Sequence, residues 1–179
     1  MIPTLFVNEN TSMIIPWEIV QRTYFPKRLI PEYVSYELYD AYRNVVDTLS
    51  LFYGVKIKLG IQLLSKTLEC LKDNHLYLSG NSLGLAWLIG FIAHLEHILL
   101  PSNWFAWGSI LPTRNGSFVL GATCHTDNKT KLAFEHNASC IFAHQGEKIE
   151  FTGRKYLYEG DMLEIIKVLK EDLLNEQSR

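Results

Sequence analysis

The sequence has little of the material from which several classes of site are built. It holds three cysteines, Cys70, Cys124 and Cys140, an odd number with no C-x-x-C spacing. That argues against a disulfide framework or a zinc knuckle and points to a reducing, cytoplasmic setting. The net charge is −2, and Lys66, Lys72, Lys129, Lys131, Lys148 and Lys155 are scattered. Such a chain has no electrostatic footprint for phosphates, so no nucleic-acid partner is expected. No apolar run is long and clean enough for a membrane span. The longest, Leu83–Leu100, is interrupted by His94, Glu96 and His97 and reads as a buried core helix. The first residues, Met1-Ile2-Pro3-Thr4, lack a basic stretch followed by an apolar one, so no leader and no membrane partner are expected. Internal repeats and low-complexity segments are also absent.

What is present suits one globular domain. Of the 179 residues, 47% are hydrophobic and 20% charged, enough for a full core without staples. Residues 1–32 carry Pro3, Pro16, Pro26 and Pro31, with short strands expected around Leu5–Val7 and Met13–Ile15, of the edge type that tolerates proline. Tyr33–Tyr53 is expected to be a helix, because Val34, Leu38, Ala41, Val45, Leu49 and Phe52 recur at three or four, and Gly54 stops it. Val55–Lys58 alternates like a strand, Ile61–Leu71 has helical spacing, and His75–Leu78 reads as a strand. After Leu83–Leu99 come a strand over Trp104–Leu111, an Asn115-Gly116 hairpin turn and a return strand over Ser117–Ala122. Thr126 or Asp127 is expected to cap a helix to about Asn137, with Leu132, Ala133 and His136 inward. Strands over Ser139–Ala143 and Lys148–Phe151, then a helix over Met162–Leu174, complete the order, with a frayed tail at 175–179. This is an α/β (α+β) pattern, a mixed sheet with packed helices.

Within that order, Leu76-Tyr77-Leu78 leads to Gly80-Asn81-Ser82-Leu83-Gly84-Leu85-Ala86. Downstream stand Ala106-Trp107-Gly108-Ser109-Ile110, the hairpin at Thr113–Gly116, Asp127-Asn128-Lys129-Thr130-Lys131-Leu132-Ala133, and Ala138–His144. This succession resembles the proteolytic domain of Lon-type proteases over residues 33–174, with 1–32 as an N-terminal segment packed on it. The family reads Gly-Pro-Ser-Ala-Gly at its serine turn, Thr-Gly-Glu-Ile at the following strand and a glycine pair before its lysine. Here Asn81 and Leu83 replace the proline and small residue, and Asp127-Asn128 replaces the glycine pair. The resemblance implies a serine peptidase with a Ser82–Lys129 dyad, no cofactor and no metal, a polypeptide substrate, and assembly as a homo-oligomer or with a separate protein that delivers substrate. No ATPase module is expected before the domain. A subunit that keeps the fold without the chemistry, an interaction module, is the alternative.

The residues themselves leave choices open. A hydroxyl at a helix start sits among free N–H groups that can cradle an oxyanion, but the same position serves as a simple cap. Ser79 is the rival serine. A lysine at a helix start is held near neutrality only if desolvated; otherwise it is a solvated side chain, and Lys131 is the second candidate. Trp107 or Ser109 is expected to line a substrate groove. Cys124-His125 is discounted as a dyad because neighbours on a strand face apart. His94-Leu95-Glu96-His97 lacks the H-E-x-x-H zinc spacing. The turn at Gly80 and Gly84 faintly resembles the phosphate loop of small-molecule kinases but lacks its run of glycine and serine.

Overall fold

The computed structural model describes residues 2–7, 11–21, 34–113 and 117–176. Five helices and eight strands stand among them, with the strands in three small sheets. The chain is a mixed α/β protein. Parallel and antiparallel pairings fall in separate sheets instead of one mixed sheet.

The first sheet is antiparallel, in the order β1 (Ile2–Val7), β2 (Ser12–Val20), β3 (Gly60–Leu63). Pro16 lies opposite Pro3, and β3 pairs only with Trp17–Val20, so neither proline interrupts a ladder that needs its N–H on that side. Thr4, fully buried, donates its hydroxyl to the Ile15 carbonyl at 3.0 Å and accepts the Trp17 indole N–H at 3.0 Å. Trp17 in turn meets Trp87 edge to face, with ring centroids 5.2 Å apart.

The helix α1 (Tyr36–Tyr53) starts three residues later than its apolar spacing suggests, because Ser35 accepts the Leu38 N–H at 3.4 Å and fixes the cap. Tyr33, the expected start, lies outside the described residues. Gly54 ends the helix in the left-handed region at φ 66°. Val55–Lys58 is no strand: Ile57 N–H returns to Ser50 Oγ, and Val55 is exposed. The Ile61–Leu71 spacing misleads as well. Gly60–Leu63 is drawn into β3 by the open edge of β2, and only Ser65–Asp73 forms a helix, α2. His75–Leu78 contributes a single bridge, Val34 to Leu78.

The central helix is α3 (Gly84–Leu95), and its ten residues from Gly84 to Ala93 are all buried. It packs on α1, β1, β5 and α5, and against the parallel sheet β4 (Trp104–Ala106), β7 (Cys140–His144), β8 (Arg154–Tyr158). The expected long strand Trp104–Leu111 is broken at Trp107-Gly108; its second half, β5 (Ser109–Pro112), forms a hairpin with β6 (Phe118–Gly121). Residues 114–116, with the Asn-Gly turn, lie outside the described residues. Lys148–Phe151 is not a strand either; β8 takes that role, stacking Tyr156 and Tyr158 on Phe142. The last helix, α5 (Met162–Glu176), runs two residues beyond Leu174, and 177–179 lie outside the described residues.

Side chains alternate across β4 and β7 with the strand period of two. Trp104, Ala106, Cys140 and Phe142 enter the main core with α3; Phe105, Ile141 and Ala143 enter a second core with Leu132 and Ala133 of α4 (Thr126–Glu135). Leu5 of β1 joins the second core and Ile2 the first, so the N-terminal strand closes the sheet edge beside β4. Both α3 and α4 lead into parallel strands. Their N-termini therefore lie at the carboxyl-edge end of the sheet, on opposite faces, the end at which open α/β sheets hold their ligands.

Thr4→Val should cost about 1–3 kcal/mol in urea unfolding, because it strands the buried Trp17 N–H, whereas Thr4→Ser should retain most of the stability. Equal stability of the valine variant and the unaltered protein would contradict this account of the β1–β2 pair.

Candidate active site

Ser82 is half-buried in the turn before α3. Leu83 occupies the cap position without a side-chain cap bond, and the Ser82 hydroxyl makes no hydrogen bond among the described residues. Ser82 is thus not a helix cap. Its carbonyl accepts the Gly108 N–H at 2.8 Å, and the Gly108 carbonyl accepts the Leu85 N–H at 2.9 Å. This two-bond clasp fixes the turn against the end of β4. It requires close approach: a Cβ on Gly108 would stand 2.5 Å from Leu120 Cδ1, and one on Gly84 would stand 3.3 Å from the Gly108 oxygen. The N–H groups of Gly84 and Leu85 are already engaged by Asn81 and Gly108. Those two groups are thus unavailable to an oxyanion, whereas the N–H groups of Ser82 and Leu83 make no bond among the described residues.

Lys129 sits in the first turn of α4, one turn before the inward-facing Leu132 and Ala133, and shares their face. Its side chain is buried, with 3% exposure. The amine donates to Thr123 Oγ1 at 2.9 Å. Burial pulls the Lys129 pKa down from 10.5 to about 8; the nearby Glu147 carboxylate and, behind it, Cys124 pull the other way. Lys131 is exposed, and so is Ser79. The cap of α4 is neither Thr126 nor Asp127 but His125, left-handed at φ 61° and without a side-chain cap bond. His136, expected inward, is exposed because the helix ends at Glu135.

Four residues that sequence reasoning did not assign to the site, or placed elsewhere, tie the two helix starts together. Glu147, in the turn after β7, is buried. One carboxylate oxygen accepts the Thr123 N–H at 2.9 Å and its hydroxyl at 3.3 Å. The other accepts the Trp107 indole N–H at 2.6 Å and the Thr126 hydroxyl at 2.8 Å. Trp107, expected to line a groove, is fully buried and serves this carboxylate instead. It adjoins Gly108, so a continuous path of bonds runs from the Ser82 turn through Gly108, Trp107, Glu147 and Thr123 to Lys129. No hydrogen bond joins Ser82 and Lys129 directly among the described residues. Ser109 is half-buried on β5, with its hydroxyl in the space left by Gly121.

Other candidates resolve differently. Cys124 and His125 are exposed and not on a strand. Glu96 of the His94–His97 run pairs with Lys170 at 2.7 Å and accepts the Tyr53 hydroxyl at 2.8 Å; Lys170 first, then Tyr53, holds its carboxyl below the usual range. The Gly80 N–H donates to Glu37 Oε2 at 2.9 Å and is therefore not free to bind a phosphate. Trp104, like Trp107, is a core residue. A broad depression of about 880 Å³ between the C-terminal end of α1 and the β5 hairpin, lined by Leu51, Val55, Lys56 and Pro112, includes neither Ser82 nor Lys129. Its place at the far end of α1 from Gly80 makes it a poor guide to chemistry here. Among the described residues no helix is long and apolar enough to cross a membrane. No protein-family model matches the chain, and no curated protein is significantly similar to it.

The lysine's burial has a measurable sign. Its folded pKa lies below its unfolded one, so the unfolded chain binds more protons between about pH 8 and 10.5. The contribution to stability is present above that window and is lost as pH falls through about 8. Lys129→Met should therefore be more stable than the unaltered protein at pH 7, with the difference shrinking by about 3 kcal/mol as pH rises through the window. Urea unfolding of both proteins at a series of pH values isolates this group from the tyrosines. A difference that does not vary with pH would show that the amine is not desolvated.

Proposed function

We propose that the chain is a Lon-type peptidase domain that hydrolyses peptide bonds through a Ser82–Lys129 dyad. The observation that carries this reading is the Lys129 amine, buried at a helix start and depressed to a pKa of about 8. A lysine of that kind is neutral often enough near neutral pH to act as a base, whereas a solvated one is not. The uncommitted Ser82 hydroxyl and the bonded path from the Ser82 turn through Gly108, Trp107, Glu147 and Thr123 to Lys129 support it further.

In the proposed reaction the neutral Lys129 amine takes the hydroxyl proton of Ser82 as its oxygen attacks the substrate carbonyl carbon. The N–H groups of Ser82 and Leu83, unengaged among the described residues, receive the resulting oxyanion. The Lys129 ammonium returns the proton to the leaving amine as the C–N bond breaks. Water then attacks the acyl group with Lys129 again as base, releasing the new carboxyl end and restoring the Ser82 hydroxyl. The substrate is a flexible polypeptide segment, or one delivered by a partner protein or by other copies of this chain.

A second reading has its own support. The Lys129 amine is bonded to Thr123 and attracted by Glu147, and no direct bond to Ser82 exists among the described residues. An interaction module that keeps the fold without turnover would show the same contacts.

Ser82→Ala and Lys129→Ala should each abolish cleavage of an unstructured polypeptide, followed by the appearance of new amino termini. Their combination should be no worse than either alone, because the two act as a unit. Ser82→Ala should leave stability nearly unchanged, since no cap is lost, and Lys131→Ala should be silent. Cleavage by the unaltered chain should rise with pH around a midpoint near 8. Cleavage that survives Ser82→Ala, or no cleavage from the unaltered chain in any assembly state, would leave the interaction module as the function.

A further inference from the structure

We propose that Glu147 is a positioning residue that holds the Thr123 hydroxyl as a fixed acceptor for the Lys129 amine, leaving the amine's lone pair open to receive a proton. The inference rests on the peptidase reading for its purpose, but its geometry stands apart from it. Thr123 has one hydroxyl proton. The carboxylate oxygen that accepts the Thr123 N–H at 2.9 Å is also the one that hydroxyl reaches, at 3.3 Å. The carboxylate can only accept there, so the hydroxyl proton is committed to Glu147 and the hydroxyl oxygen faces the amine as an acceptor, 2.9 Å away. Thr123 therefore cannot donate to the amine and block its lone pair. The second carboxylate oxygen is pinned by Trp107 and Thr126, which fixes the whole arrangement.

The charge environment is simple. Glu147 and Cys124 are the groups that act on Lys129 electrostatically. Among the strands that pack on α4, β1 and β4 carry no ionisable side chain; Glu18 of β2 is exposed and accepts from Gln62; on β7, Cys140 faces the other core and half-buried His144 accepts the Gly146 N–H through Nδ1. Asp127, Lys131 and Glu135 on α4 itself are exposed.

The test is a titration of the Lys129 side chain in the full chain labelled with lysine carrying ¹³C at Cε, the resonance being assigned by its loss in Lys129→Met. Glu147→Gln removes the attraction for the ammonium and should lower the Lys129 midpoint by about one pH unit. Thr126→Val removes one hydrogen bond to the carboxylate but leaves its charge, and should leave the midpoint in place. Thr123→Val should lower the midpoint, and Thr123→Ser should restore it; this pair decides the matter even if Glu147→Gln does not fold. With an unstructured polypeptide as substrate, the Glu147→Gln rate profile should move with the titration, and its plateau should fall about tenfold or more because the acceptor is no longer fixed. A midpoint that is unmoved in Glu147→Gln, or moved equally in Thr126→Val, overturns the proposal. Shifted midpoints in a chain that cleaves nothing would support the positioning role and defeat the peptidase reading alone.

Discussion

The constraint on which the site depends is the burial of one ammonium-bearing side chain. Desolvating a lysine is costly, and a protein ordinarily avoids it or pairs the charge closely. Here the amine meets a neutral hydroxyl, and the carboxylate stands one bond further away. That spacing matters. A carboxylate in direct contact would hold the lysine charged, whereas a hydroxyl interposed between them lets desolvation win, and the pKa falls to about 8. The carboxylate remains satisfied because the backbone of Thr123, the indole of Trp107 and the hydroxyl of Thr126 supply its other bonds.

The fold sets up this arrangement through the parallel sheet. The helices α3 and α4 lead into the parallel strands β4 and β7 and pack on opposite faces of the sheet, whereas β7 reaches its parallel neighbour β8 without a helix. Gly108 breaks the chain after β4, which turns β5 away into the hairpin and leaves Trp107 at the sheet's carboxyl edge. The same break allows the Ser82 turn to press against Gly108. One local backbone feature therefore anchors the serine turn and presents the indole to Glu147.

Elements that carry their own periodicity were legible in the sequence. The apolar spacing of α1, the all-round apolar surface of α3, the hairpin of β5 and β6 and the buried run of β7 all appear where local pattern and tertiary role agree. The inward face of Lys129 could be read from Leu132 and Ala133, three and four residues on. The Ile61 run was misleading because Ile61, Leu64 and Leu68 fit a helix, while the decisive partner, β2, lies some forty residues upstream. The strand β8 was hidden because Arg154-Lys155-Tyr156-Leu157-Tyr158 gains its buried face only by stacking on Phe142. Glu147 carried no signal of its own. It is one acidic residue in a turn, and its partners Trp107, Thr123 and Thr126 stand 21 to 40 positions away. The faint clue was the spacing of Thr123, Thr126 and Lys129 at successive threes, which sets three polar groups along one helix start.

The proposal of hydrolysis through Ser82 is tested most directly by trapping the hydroxyl itself. The full chain is treated with a serine-directed sulfonyl or phosphonyl fluoride, and the adduct is mapped by mass spectrometry across a range of pH. A nucleophile driven by Lys129 forms its adduct at Ser82, at a rate that rises around pH 8 and collapses in Lys129→Ala. An adduct confined to other residues, or one that forms on Ser82 as fast without the lysine as with it, would contradict the account.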